Sequence, residues 1–156
     1  MAQPLHVELK SVRPYDLLEE EAHLSILRTA AVLEREFAQV LKPYGLTPTQ
    51  YNVLRILRGA GDTGLCRNEV GSRLLRDVPD VTRLLDRMKQ ARLISRQRAD
   101  ADRRLVRAHI TQKGLDLLAE MDAHMRRTHR ERLAHVSRSA LRAMVDTLAE
   151  VRQTGA

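Results

Sequence analysis

Cysteine and aromatic residues are almost missing from this chain. Its 156 residues hold one cysteine, Cys66, no tryptophan, and only Tyr15, Tyr44, Tyr51 and Phe37 as aromatics. A single cysteine excludes an intrachain disulfide and a CxxC metal knuckle, and it fits a reducing compartment. With so few aromatics the core must be assembled from Leu, Val, Ala and Met. Seven glycines and five prolines are too few to punctuate a barrel or sandwich of many short strands, so a mostly helical protein is expected. No apolar run approaches the roughly 20 residues that cross a bilayer, and the start MAQPLHVELK lacks the basic-then-apolar layout of a signal peptide. No membrane association and a cytoplasmic location are expected. Enzyme signatures are missing too: there is no G-x-S-x-G, no glycine-rich phosphate loop and no H-E-x-x-H. Glu19, Glu20 and Glu21 are consecutive on a helix and point in different directions, which suits a solvated helix start better than paired catalytic carboxylates. The chain is read as a non-enzyme.

What the chain has in excess is positive charge. It carries 27 Lys and Arg against 20 Asp and Glu, a net +7. An acidic partner is expected. The length suits one domain, with no room for a second catalytic one.

Residues 1–16, with Pro4 and Pro14 and no sustained period, read as an arm that is poorly ordered or docks in extended form. Leu17 to Leu41 keep helical spacing through Leu24, Leu27, Ala31 and Ala38. That first helix stops at Lys42-Pro43-Tyr44-Gly45. Thr47, Pro48 and Gln50 then make a capping box for a helix carrying Tyr51, Leu54 and Leu57 and ending near Gly59. A glycine loop and a short amphipathic stretch with Val70, Leu74 and Leu75 follow to about Arg76. After a tight turn, a helix from Pro79 to about Arg92 presents Val81, Leu84, Leu85 and Met88 on one face. Leu93–Arg98 and Arg104–Thr111 are extended in character, the second alternating Val106, Ala108 and Ile110 against Leu105, Arg107 and His109, and make a hairpin. Thr111 and Ser137 each cap a further helix, the first with Leu115, Leu118, Met121 or Asp122, Met125 and later Leu133, the second with Leu141, Met144, Val145 and Leu148.

Helix, turn, helix and hairpin, in that order, describe a winged helix-turn-helix. Charge supports the same reading. Between Arg76 and Arg107 ten basic residues (Arg76, Arg83, Arg87, Lys89, Arg92, Arg96, Arg98, Arg103, Arg104 and Arg107) face five acidic ones, so this segment holds +5 of the net +7. Neutralising duplex phosphates and releasing their counterions requires such concentration. With Val81, Leu84, Leu85 and Met88 toward the core, Pro79, Thr82, Arg83 and Asp86 fall on the opposite face. Thr82 can bond a phosphate or touch a thymine methyl; Arg83 can reach guanine O6 and N7 or a phosphate; Arg87 flanks the backbone one turn later. Asp80 suits the helix dipole more than a cytosine N4.

Residues 46–121 resemble the MarR-type (multiple-antibiotic-resistance regulator) winged-helix family. The resemblance rests on LTPTQYNVLRIL, DVPDVTRLLDRMKQARLISR and DRRLVRAHITQKG, in that order and at the right separations. It implies a mainly α fold with a small β-hairpin. The winged helix-turn-helix lobe would be 46–111, flanked by a dimerisation helix at 17–45 and C-terminal dimerisation helices at 112–156. It also implies a homodimer that reads a pseudo-palindromic operator in double-stranded DNA as a transcriptional repressor, released by a small-molecule effector or an oxidant. Within the family's Asp-x-Arg wing motif, Asp102, Arg103 and Arg104 match, with Arg104 resembling the arginine placed in a minor groove and Asp102 the residue that orients it. Ala99 and Ala101 depart from the commonest wing tip, which implies fewer contacts there. The expected DNA-binding set is therefore Pro79, Asp80, Thr82, Arg83, Arg87, Arg98, Asp102, Arg103 and Arg104.

Cys66 is either a redox-sensitive thiol at a helix start or, the stronger reading, an inert small residue. No cofactor is called for, and no residues are assigned to binding one. No metal site is expected either, since His124, His129 and His135 are spaced five and six apart and not i, i+4. His109 and His23 read as surface or interface histidines. The alternative function is a winged helix that binds RNA or only contacts proteins, although RNA modules usually offer stacking aromatics and the basic region has none.

Overall fold

The computed structural model describes residues 3–98 and 105–153 of the chain. It divides into two compact units, residues 1–111 and 112–156. The first holds α1 (Leu5–Glu8), α2 (Leu18–Leu41), α3 (Pro48–Ala60), β1 (Leu65–Cys66), α4 (Arg67–Arg73), α5 (Val81–Gln90), β2 (Ile94–Arg98) and β3 (Val106–Ile110). The second holds α6 (Gln112–Arg132) and α7 (Arg138–Gln153). The fold is mainly helical with one small antiparallel sheet, as expected. No helix among the described residues is long and apolar enough to cross a membrane.

Helix starts follow local chemistry. At α3 the Thr47 Oγ1 accepts the Gln50 amide at 3.2 Å and the Gln50 side chain accepts the Thr47 amide at 2.9 Å. Two orphan amides of the first turn are thereby satisfied, with Pro48 already fixed at a helical φ. Gly45, at φ 67°, makes the left-handed reversal between α2 and α3 that a β-carbon would oppose. Ser137 Oγ caps α7 by accepting the Ala140 amide at 3.2 Å.

The core of the first unit is aliphatic. Leu41, Val53, Leu54, Leu57, Val70 and Met88 are fully buried, with Leu85, Ile94 and Ala108 nearly so. Its few aromatics are concentrated between α2 and α3, where the Phe37 and Tyr51 rings meet edge to face at 5.5 Å and Arg55 lies over the Tyr51 ring. Such a ring pair adds roughly 0.5–1.5 kcal/mol beyond the area it buries. In the second unit Gly114, Leu118, Met121 and Met125 form one buried stripe of α6, and α7 has no buried residue.

The expected hairpin is present, with β2 and β3 paired antiparallel, and several other expectations are extended or corrected. The arm docks, as one of the two readings had it, but not in extended form: residues 5–8 form a helical turn, Leu5 is buried, and Glu8 accepts from Arg28 Nε of α2 at 2.8 Å. The hairpin is part of a three-stranded sheet ordered β1-β3-β2, because Leu65 and Cys66 pair with Ala108 and Arg107. Two residues are too few to show an alternation. The turn between α4 and α5 is seven residues long, since Leu74 adopts an extended conformation and Pro79 bars a helix at Val78. Leu75 accordingly points out of the core, 90% exposed, while its amide is held by Asn52 Oδ1 at 2.9 Å. Finally, α5 runs from Val81 to Gln90 and not from Pro79 to Arg92, because Asp80 is its N-cap and Arg92 takes a left-handed φ of 60°.

The short strand β1 depends on Gly64, the residue before it. Its φ of 62° and ψ of −179° belong to a region open essentially to glycine alone. The imidazole of His109 lies where its side chain would start, 2.3 Å from an added β-carbon. His109, read from sequence as a surface or interface histidine, is a half-buried packing residue of β3.

Candidate nucleic-acid interface

The outward face of α5 follows from its cap and its anchors. Asp80 Oδ1 accepts the Arg83 amide at 2.9 Å, which fixes the first turn and places a carboxylate at the positive end of the helix. Leu85 and Met88 bury the inner side, with Val81 and Leu84 half-buried beside them. At 100° per residue the opposite side then consists of Thr82, Arg83, Asp86, Arg87, Lys89 and Gln90. Arg83, Arg87 and Lys89 are exposed, and none has a carboxylate partner among the described residues. Asp86, the one acid in the middle of this face, is paired with Arg96 of β2. The wing strand therefore cancels the charge on α5 that would repel a phosphate.

Around α5 the remaining charges are sorted in the same way. Arg76 is held by Glu34 of α2. Arg107 of β3 donates to the Gly64 carbonyl at 3.1 Å and lies 3.5 Å from Glu69 of α4. Three of the ten basic residues counted in the sequence thus have structural partners, and among the described ones without a carboxylate partner Arg83, Arg87 and Lys89 are on α5. Between the starts of α4 and α5 is a depression of about 320 Å³, lined by Arg67, Asn68, Ser72, Pro79, Asp80 and Thr82 among others. Arg67 Nη1 reaches the Thr82 hydroxyl at 3.4 Å across it. Arg67, Asn68 and Ser72 were not among the expected site residues, and neither was Gln90. The helical period already placed Gln90 opposite Leu85 and Met88, so that one was available from sequence. The α4 residues needed the packing of α4 on α5. Arg98, the last residue of β2, is exposed. Asp102, Arg103 and Arg104 lie outside the described residues.

Cys66 is the N-cap of α4. Its amide donates to Glu69 Oε2 at 2.7 Å and its sulfur accepts the Glu69 amide, a capping box with cysteine in the usual place of serine. The Cys66 amide first, then a hydrogen bond from the Cys66 side chain to the same carboxylate, and after them the positive charges of Arg107 and Arg73, hold the Glu69 carboxyl below its ordinary value. A carboxyl depressed by folding stabilises the fold above its unfolded value, and that contribution is lost as pH falls through the folded one. Acid titration of stability should accordingly be steeper in the wild type than in Glu69→Gln. Equal acid limbs in the two proteins would mean the box contributes nothing measurable.

The MarR family model matches residues 44–105, the span from the end of α2 into the wing. MhqR, an HTH-type transcriptional regulator of Bacillus subtilis (strain 168), is 30% identical over 102 residues, which are 61% of this chain and 69% of MhqR. The chain belongs to the MarR family. A MarR transcription factor from Planctomyces limnophilus is also 30% identical in its solved structure, with a TM-score of 0.66 over 87% of this chain and 98% of that one. The MarR fold itself is matched by S. aureus MepR, solved as a DNA complex, at a TM-score of 0.77 and 20% identity over 85% of this chain and 96% of MepR. These matched relatives are transcriptional regulators.

Proposed function

We propose that this MarR-family chain is a transcriptional repressor that reads a pseudo-palindromic operator in double-stranded DNA as a cytoplasmic homodimer, without catalysing a reaction. The observation that carries the reading is the face of α5, where Arg83 and Arg87 have no carboxylate partner among the described residues while Asp86 is neutralised from behind by Arg96. In this reading α5 enters the major groove. Thr82 and Arg83 meet bases near its start, Arg87 meets phosphate, and the α4–α5 depression takes up backbone oxygens. Pro79 sets the approach to the Asp80 cap, and Arg98 and Arg103 follow the backbone beside the wing. Arg104 enters the minor groove, oriented by Asp102. A small-molecule or oxidant signal that changes the spacing of the two lobes would release the DNA, with Cys66 the only thiol available to an oxidant.

Competition binding tests the central claim. Duplex DNA carrying the selected site should displace single-stranded DNA and structured RNA, with affinity falling steeply as salt rises. Preference for RNA, or no salt-dependent binding, would replace this reading by an RNA-binding or protein-contact winged helix. The wing has its own test. Arg104→Ala should weaken binding by about 1–3 kcal/mol on A·T-rich flanks and less on G·C-rich ones, because a narrow A·T minor groove has the stronger negative potential. Lys89→Ala serves as the comparison. An equal small loss on both flanks makes Arg104 a backbone contact.

A further inference from the structure

The turn that leads into α5 has no anchor in the core. Of residues 74–80, Leu74 and Val78 are half-buried and the others are exposed. Two polar contacts fasten the turn instead, at consecutive residues. The Leu75 amide donates to Asn52 Oδ1 of α3 at 2.9 Å, and the Arg76 guanidinium pairs with the Glu34 carboxylate of α2. Both posts stand beside one joint: Glu34 is one turn before Phe37 on α2, Asn52 follows Tyr51 on α3, and the Phe37 and Tyr51 rings pack edge to face. The packing of α2 on α3 therefore fixes the spacing of the posts. Beyond Arg76 only Asp77, Val78, Pro79 and Asp80 precede α5. Pro79 has a fixed φ and keeps Val78 extended, so this short link absorbs little of any displacement at Arg76. Arg76 is one of the ten basic residues that the charge count assigns to phosphate, yet its guanidinium is directed to α2.

We infer that Arg76 is a positioning residue: with Asn52 it clasps the α4–α5 turn to α2 and α3, and so sets where Thr82 and Arg83 stand when α5 reads DNA. The inference rests on the DNA-reading function proposed above and adds to it residues outside the interface that aim it. An exposed ion pair contributes little to global stability, whereas like charges brought face to face are strongly disfavoured. Reversal at Glu34 is thus the sensitive probe, and the sign of its effect is diagnostic. Glu34→Arg removes an acid and adds a cation, which by long-range attraction alone would tighten binding to a polyanion. With the clasp the result is opposite, because two guanidinium groups now face each other and the turn leaves its posts.

The test uses full-length wild type, Glu34→Arg, Arg76→Glu and the exchanged pair Glu34→Arg/Arg76→Glu, each checked for unchanged helical content and sedimentation. Amide hydrogen exchange is read on the free proteins, and affinity for the selected duplex at one salt concentration. In each single variant the Leu75 and Arg83 amides should exchange at least about tenfold faster, with Val53 and Leu54 of α3 unchanged. Duplex binding should weaken at least about threefold in both, with the consensus retained. The exchanged pair, which has the wild-type net charge, should restore both readouts. Asn52→Ala, which alters no charge, should free the Leu75 amide and weaken binding in the same direction. Equal or tighter DNA binding by Glu34→Arg would overturn the clasp, as would unchanged exchange at Leu75 or an exchanged pair that restores neither readout. The milder Arg76→Gln and Glu34→Gln separate the remaining alternative: a salt slope lower by about one in the first, with full affinity in the second, would make Arg76 a phosphate contact and overturn its positioning role. A wild type that binds no duplex would remove the DNA-reading function and the aiming role with it, a failure distinct from that of the clasp, which the exchange rates of the free proteins report without DNA.

Discussion

Arg83→Ala is expected to relax sequence preference at particular symmetric positions of the operator, at a cost of about 1–3 kcal/mol for each base that the guanidinium no longer reads. Arg83 lies in the first turn of α5, and its amide is bound by the Asp80 cap, so its side chain leaves a fixed backbone near the end of the helix that first meets the bases. Arg87, one turn later and equally without a carboxylate partner among the described residues, is the contrasting case. Arg87→Ala should weaken binding evenly across sequences and lower the salt slope by about one, the signature of a phosphate contact. Selection from random duplexes with wild type and each variant separates these outcomes. The wild type should return two half-sites about one helical turn, roughly 10 base pairs, apart. An unchanged consensus with Arg83→Ala, and only a fall in affinity, would give Arg83 to phosphate and the reading of bases to Thr82 or Gln90.

Met88→Ala should destabilise the protein by about 2–5 kcal/mol in equilibrium denaturation. Met88 is completely buried and, with Leu85, forms the inner anchor of α5. A helix of ten residues is too short to persist on its own in water, so packing must supply its stability. Truncation removes the atoms that seat α5 and leaves a void that the surrounding leucines only partly fill. DNA affinity should then fall without any change of consensus, because the reading side chains are intact and their platform is loosened. Met88→Leu, nearly equal in volume, should cost under about 1.5 kcal/mol. A fall of less than about 1 kcal/mol for the alanine variant would show that α5 is held by its cap and the Arg96–Asp86 pair and not by its core face.

Most of this architecture was legible because it is written in short-range signals. Thr47, Pro48 and Gln50 mark a helix start without help from the rest of the chain, and the 3.6-residue period separates Leu85 and Met88 from Arg83 and Arg87. What escaped depends on distant residues. The two-residue β1 exists only because β3 offers Ala108 and Arg107 as partners, and no period can be seen in two residues. Leu75 obeys the apolar spacing of α4 yet points to solvent, because the helix ends two residues earlier. Nor could sequence alone foresee that Arg96 would cancel Asp86 and Arg76 would go to Glu34, since a charge count assigns no partners. The wing motif is the reverse case: Asp102, Arg103 and Arg104 are prominent in the sequence, while their place lies outside the described residues.

Gly64 carries more information than its size suggests. Its backbone angles exclude every residue with a β-carbon, and the His109 ring excludes the same residues by occupying the space. The two prohibitions are independent, so shrinking His109 to alanine lifts only the second. A library fully randomised at position 64 and screened for folding should return a single letter, and the same library on a His109→Ala background should return it again. The position is spelled twice, once by the chain's own torsion and once by its neighbour, and drift there requires two coincident changes, one of which no ordinary amino acid can provide.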